Sequence, residues 1–233
     1  YKNLTLLLNH SYKQMKTSFL LFISMSLLLY FTSCENISNR TNKTKVKPIM
    51  ECRPISPDGH VNAIIEVPAG TIQKWEINKL SRKIEQELIG DEARIINYIG
   101  YPGNYGMIPQ TLLPKENGGD GDPLDILVLG PPEHRGSVIK CKVIGVLFLL
   151  DEGAQDDKLI AISDNSPLFQ VNDISDLTTK YLGVSEIIKL WFTNYKGPNK
   201  MKSNGFGGKQ VAEDILQRAI HDYSLHRSIT KVK

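Results

Sequence analysis

Three hydrophobic patterns follow one another along the chain. Between Phe19 and Phe31 the apolar residues form one dense run. From residue 61 onward they come in short stretches. VNAIIEV (61–67) stops at Pro68-Ala69-Gly70, Lys74-Trp75-Glu76-Ile77 alternates polar with apolar, and 95–99, 125–129, 137–150 and 158–162 are further β-rich segments bounded by turn residues. Such runs predict strands, and many short strands between Gly and Pro predict a barrel or sandwich. The period then changes. Leu177, Tyr181, Val184, Ile187, Ile188, Trp191, Phe192 and Tyr195 fall at helical spacing with a break at Gly183, and Val211, Ile215, Leu216, Ala219, Ile220 and Tyr223 form a second amphipathic helix. Gly197 to Gly208, rich in Gly and Lys, reads as a loop, and the tail from His226 reads as frayed. The expected class is α+β, mainly β, with helices on the C-terminal side of a β-barrel core.

The first apolar run has its own logic. Lys16 gives a short positive segment after Met15, Phe19 to Phe31 follow, and Thr32, Ser33 and Cys34 close it. This is the layout of a secretory signal, with Met15 as the expected true start. It resembles the bacterial lipoprotein leader, with Phe31 where that family usually has Leu. The resemblance implies lipidation of Cys34 and an exported, membrane-anchored protein on the periplasmic side or cell envelope. The alternatives are a cleaved signal, a short anchor or a buried helix, and, if the leader is not functional, a cytoplasmic protein. The run is only about 13 residues, against about 20 for a spanning helix. Residues 35–50 are polar and without periodicity, so a flexible tether is expected over 35–55. The folded domain is expected over 56–226 and a tail over 227–233. Of the remaining cysteines, Cys141 lies in an apolar strand pattern and is expected as a buried thiol. An exported chain would permit a Cys52–Cys141 disulfide.

Composition alters this picture in one respect. The chain has 233 residues and a net charge of +3. Residues 1–34 hold Lys2, Lys13 and Lys16 and no acid, which leaves 25 basic and 25 acidic residues for 35–233. A domain with no net positive charge lacks the field that drives nucleic-acid binding, so no nucleic-acid partner is expected.

Candidate chemistry is concentrated in acidic turns. Asp120, Asp122 and Asp125 fall within six positions among Gly and Pro, and Asp151, Glu152, Asp156 and Asp157 follow about thirty residues later. Each cluster adjoins an apolar strand. Carboxylates crowded this way repel one another, and a hard divalent cation removes that cost. Mg²⁺, which takes oxygen ligands and keeps waters, suits a few carboxylates plus a substrate phosphate. An EF-hand Ca²⁺ loop fits poorly, because Pro131 stands at the twelfth position where the bidentate Glu belongs. Lys74, Arg94, Lys158 and Lys196, with Tyr101, Tyr105 and Tyr195, supply groups that would neutralise and hydrogen-bond phosphate oxygens. No Gly-x-x-x-x-Gly-Lys-Ser/Thr loop occurs, which disfavours a P-loop nucleotide enzyme.

Asp120-Gly-Asp122-Pro-Leu-Asp125 resembles the Asp-x-Asp-Pro-hydrophobic-Asp motif of family I soluble inorganic pyrophosphatases. The likeness runs over about residues 61–223 and includes Glu66-Val-Pro-Ala, Lys74-Trp-Glu76, Tyr101-Pro-Gly-Asn-Tyr105-Gly, Asp151-Glu-Gly, Asp156-Asp-Lys158 and Trp191-Phe-Thr-Asn-Tyr195-Lys196. It implies a five-stranded OB-like barrel that hydrolyses pyrophosphate (PPi) with several Mg²⁺ ions. By position, Asp120, Asp125 and Asp156 would hold one ion, with Asp125 shared with a second. Asp151 and Asp156 would serve an ion arriving with substrate. Asp122 would be the general base, and Lys74, Arg94, Tyr105, Lys158, Tyr195 and Lys196 would bind phosphate. Glu66, Glu76 and Tyr101 would complete the pocket. Arg82 competes with Arg94, because the segment between Glu76 and Tyr101 varies in length within the family. A homo-oligomer is compatible with the resemblance. Retained-barrel binding modules and hydrolases of other phosphoanhydrides are the competing readings.

Overall fold

The computed structural model describes residues 49–78 and 80–231, so the leader and Cys34 lie outside the described residues. Val61–Val67, the first β-rich run, forms β1 and is buried throughout. β2 (Trp75–Ile77) and β3 (Ile84–Gln86) make one small hairpin, and β4 (Leu88–Ile89) and β5 (Glu92–Ala93) make another. β6 (Asn104–Met107), β7 (Asp125–Leu129), β8 (Val138–Asp151), β9 (Ala154–Gln155) and β10 (Lys158–Ser163) follow. The helices are α1 (Ile174–Lys180), α2 (Val184–Asn194) and α3 (Lys209–Lys231), with β11 (Met201–Gly208) before the last.

The pairings return to their start. β1 pairs β6, β6 pairs β7, β7 runs parallel to β10, β10 pairs β8, and β8 pairs β1. β8 is long enough to serve four partners, with β1 at its start, β10 in the middle and β11 and β9 at its end. One face of the cycle packs on itself and the other is covered by the helices, so β1, β6 and β10 are buried at every position. One core cluster joins Leu127, Leu147, Ile160 and Tyr105 to Trp191 and Phe192 of α2. The other joins Val128, Val146 and Ala161 to Ala212, Leu216 and Ala219 of α3. Asp173 links the helices at their starts, since its carboxylate accepts from Ser175 N–H (2.9 Å) in α1 and from Lys209 N–H (2.7 Å) in α3.

Four expectations are corrected. Ile95 to Ile99 is not a strand. Ile95 makes a single bridge to Gln73, the backbone of Ile96 bonds to Ile72, and Ile99 gives its carbonyl to the Trp191 indole. The Gly- and Lys-rich stretch is not all loop, because Met201–Gly208 pairs with β8. Its glycines suit close packing rather than a turn: a Cβ on Gly207 would stand 2.9 Å from both Phe148 and Val146. Gly205, at φ +89°, makes the bulge that re-registers the strand. The tail does not fray at His226, since α3 continues to Lys231. The end of the expected tether is tied to β1, with Asn62 donating to Pro54 O (2.9 Å) and Arg53 O (2.8 Å). Cys141 is a buried free thiol and Cys52 is free, so the two do not pair.

Candidate active site

The parallel register of β7 and β10 sets Leu159 beside Ile126, and therefore Lys158 beside Asp125, at the same end of the sheet. The Lys158 side chain is only 4% exposed. Its Nζ donates to Asp156 Oδ1 (2.5 Å) and also to Asp125 Oδ2. Burial opposes the Lys158 charge, but the two carboxylates outweigh it and hold the pKa above the ordinary lysine value. Asp156 is pushed up by burial against the pull of Lys158, with Asp125 adding to the rise. The centre is thus negative, and one ammonium only partly compensates it.

Asp151 enters from the end of β8, where Glu152 (φ +49°) and Gly153 (φ +98°) close the tight turn into β9. Lys196, just past α2, pairs with Asp151. A cleft of about 450 Å³ opens here, lined by Arg94, Asp151, Glu152, Tyr195, Lys196 and Lys200. Arg94 is held by Glu87 (2.7 Å) across the β4–β5 hairpin, whereas Arg82 sits exposed in the β2–β3 turn at φ +57°.

Behind the cleft stands an aromatic wall. Trp191 stacks on Tyr195 (4.7 Å between centroids, 8° between planes) and packs on Tyr101 (4.4 Å), which packs on Tyr105 (5.2 Å). The Trp191 indole N–H donates to Ile99 O at 2.8 Å, which fixes the ring. Burial raises the pKa of all three tyrosines, so their hydroxyls remain proton donors. Lys74 lies with its Nζ 5.3 Å from the Tyr105 ring centroid. Glu66, buried in β1, accepts from Ile77 N–H (2.8 Å), and burial raises its pKa to about 7, with Lys74, Asp125 and Glu76 among the charges that act on it.

The structure therefore brings Asp125, Asp151, Asp156, Lys158, Tyr195 and Lys196 to one centre, with Glu66, Lys74, Glu76, Arg94, Tyr101 and Tyr105 around it. The first acidic turn folds onto residues 108–114: Leu113 and Asp122 bond through their backbones (2.8 Å), and Leu124 N–H donates to Thr111 Oγ1 (2.9 Å). Asp120 is exposed, and its carboxylate accepts from Asp122 N–H (2.8 Å). Among the described residues no three His, Cys, Asp or Glu side chains are gathered as a ready ligand set. Lys158 is the cation that Asp125 and Asp156 share. No sequence pattern singles out Glu87 or Lys200. Lys200 bonds Glu152 (2.5 Å) at the cleft mouth, and only the β8–β11 pairing reveals this.

The inorganic pyrophosphatase family model matches residues 63–224. An inorganic pyrophosphatase of Campylobacter jejuni is 38% identical over 167 residues, 70% of this chain and 91% of that protein. Among solved structures, the Helicobacter pylori inorganic pyrophosphatase is 34% identical with a TM-score of 0.61, over 71% of this chain and 94% of that one. An N-terminally truncated Trypanosoma cruzi vacuolar soluble pyrophosphatase in complex with PPi is 30% identical with a TM-score of 0.67, over 72% of this chain and 70% of that one. The matched span contains every cleft residue named above, and the chain belongs to the inorganic pyrophosphatase family and is an inorganic diphosphatase.

Proposed function

We propose that this chain hydrolyses PPi to two phosphates with Mg²⁺, and that Asp122 is the general base. Support comes above all from Lys158, whose buried ammonium bonds Asp125 and Asp156 together beside the Arg94, Tyr195 and Lys196 cleft. The donor chemistry fits a hard cation. Asp125 and Asp156 offer carboxylate oxygens within reach of one atom, and Asp156 bears a burial cost that added positive charge would relieve. Asp125, Asp156, Asp151 and Asp120 would hold the ions, and Mg²⁺ needs few protein ligands because it keeps waters and takes substrate oxygens. Bound Mg²⁺ supplies charge neutralisation for the tetra-anionic substrate and acidifies water.

The residues of the chain do the rest. Arg94, Lys196, Lys74 and Lys158 hold the phosphate oxygens, and the Tyr105 and Tyr195 hydroxyls donate to them. Asp122 takes a proton from the attacking water, whose oxygen bonds to one phosphorus as the bridging P–O bond breaks. The departing phosphate carries off the electron pair. Position and charge compensation lower the barrier, as phosphoryl transfer demands. Glu66, Glu76 and Tyr101 shape the pocket. Phosphate release from PPi that depends on Mg²⁺ and is abolished by chelator tests the reading; a folded, Mg²⁺-supplied protein active on nucleoside triphosphates but not on PPi would overturn it.

The five-strand cycle is read as an OB-like barrel. The leader pattern supports export and lipidation at Cys34. Cell fractionation tests this: Cys34→Ala should move the protein from the membrane to the soluble fraction, and a wild type already soluble would refute the anchor.

A further inference from the structure

Lys74, beside Tyr105 and Glu66, directly precedes β2, whose hairpin shares no ladder with the main sheet because β2 pairs only with β3. Its backbone is bonded on one side, Lys74 N–H to Arg94 O (3.1 Å) and Glu87 N–H to Lys74 O (3.1 Å), and what holds the hairpin that follows sets the other. Lys74 lies over the Tyr105 ring. Trp75, the first residue of β2, meets a different group. The Arg135 guanidinium carbon stands 4.0 Å from the centroid of the Trp75 ring. The same side chain donates from Nε to Glu66 O at 3.0 Å. The loop that carries Arg135 is itself fixed to β1: Gly136 N–H donates to Ile65 O (2.7 Å) and Ile65 N–H to Ser137 O (2.9 Å). It also faces the hairpin, because a Cβ on Gly136 would stand 3.7 Å from Ile84 Cδ1. A planar guanidinium stacked on an indole while bonded to a carbonyl is held in two directions at once.

We infer that Arg135 is a positioning residue for PPi hydrolysis: it clamps Trp75 against β1 and so sets how Lys74 enters the cleft. The inference rests on the reading of Lys74 as a phosphate-binding residue. It gives two adjacent residues different tasks, with Lys74 meeting substrate and Trp75 held by Arg135. A lysine at 135 would keep the charge but lose the planar stack and the Nε donor.

The test is steady-state hydrolysis of PPi with Mg²⁺ by the full chain carrying Lys74→Gln, Arg135→Ala, Arg135→Lys and the Lys74→Gln/Arg135→Ala double substitution. Arg135→Ala should raise KM about tenfold, the scale of a lost cation–π clamp, with kcat nearly unchanged. Arg135→Lys should recover part of the loss. In the Lys74→Gln background Arg135→Ala should add nothing, because the residue it positions is gone. An equal KM penalty in both backgrounds, or no penalty where Lys74→Gln has one, would overturn the inference. If Lys74→Gln itself leaves the kinetics intact, the phosphate-binding role is what fails, and the positioning role with it. Should Arg135→Ala not fold, Arg135→Gln, which keeps the stem and an N–H donor, carries the same comparison.

Discussion

The Lys158 ammonium stands 2.5 Å from Asp156 Oδ1 and bonds Asp125 through the same nitrogen, in a side chain almost closed to solvent. Two carboxylates, one at the start of β7 and one just before β10, thus converge on one cation. Lys158→Met would leave both carboxylates partly buried with no partner between them. Breaking a buried pair this way costs about 3–5 kcal/mol. The exposure of the aspartates, 28% for Asp125 and 21% for Asp156, places the cost at the low end of that range. Urea denaturation in chelator should show the loss, and added Mg²⁺ should restore part of it.

Glu66 gives a pH signature. Its pKa is raised by burial from 4.5 to about 7 in the folded chain. Between those two pH values the unfolded state has shed its proton while the folded state keeps it. Glu66 therefore stabilises most below pH 4.5, and its contribution falls as pH rises toward 7 and stays low above it. The full swing is about 3 kcal/mol. In metal-free protein, Glu66→Gln should flatten the fall in unfolding free energy between pH 5 and pH 8. Asp156, raised in the same direction, keeps a residual slope in the variant.

Asp122→Asn separates chemistry from folding. An amide cannot take the proton of the attacking water, and loss of a general base costs on the order of 10²–10⁴ in rate. The backbone bond from Leu113 to Asp122 O survives the substitution. Phosphate-release assays should show near-complete loss, while the melting temperature stays within a few degrees of wild type.

The apolar strands are legible in the residue pattern, because runs such as VNAIIEV or Asp125 to Leu129 can be satisfied only by burial, here along almost their whole length. What escapes is structure that does not depend on side-chain pattern. β11 is written in Met, Ser, Asn and Gly, and it is a strand because β8 offers it a backbone ladder. The alternation at Lys74 to Ile77 marks β2, but its partner β3 and the β4–β5 hairpin, with Leu88 and Ile89 exposed, are too short for any period to mark. Candidate site residues are legible where they cluster in acidic turns next to strands. Glu87 and Arg135 are not, because Glu87 meets Arg94 only once the β4–β5 hairpin has formed and Arg135 meets Trp75 from far along the chain.

Gly106 tests the fold where it carries the site. It follows Tyr105 in β6, and β6 lies against β1 with Ile65 opposite Gly106. A Cβ at Gly106 would fall 1.9 Å from Ile64 O and 3.1 Å from Glu66 N, both backbone atoms of a fully buried strand. Neither neighbour is a side chain that can turn away, so Gly106→Ala must part β6 from β1. Overpacking of this kind costs about 1–3 kcal/mol or more. The damage should also reach the chemistry, because β1 carries Glu66 and β6 carries Tyr105. A drop in unfolding free energy accompanied by weaker PPi hydrolysis at a temperature where the variant is still folded is the expected result. Full activity with unchanged stability would mean that the β1–β6 contact is looser than the structure has it.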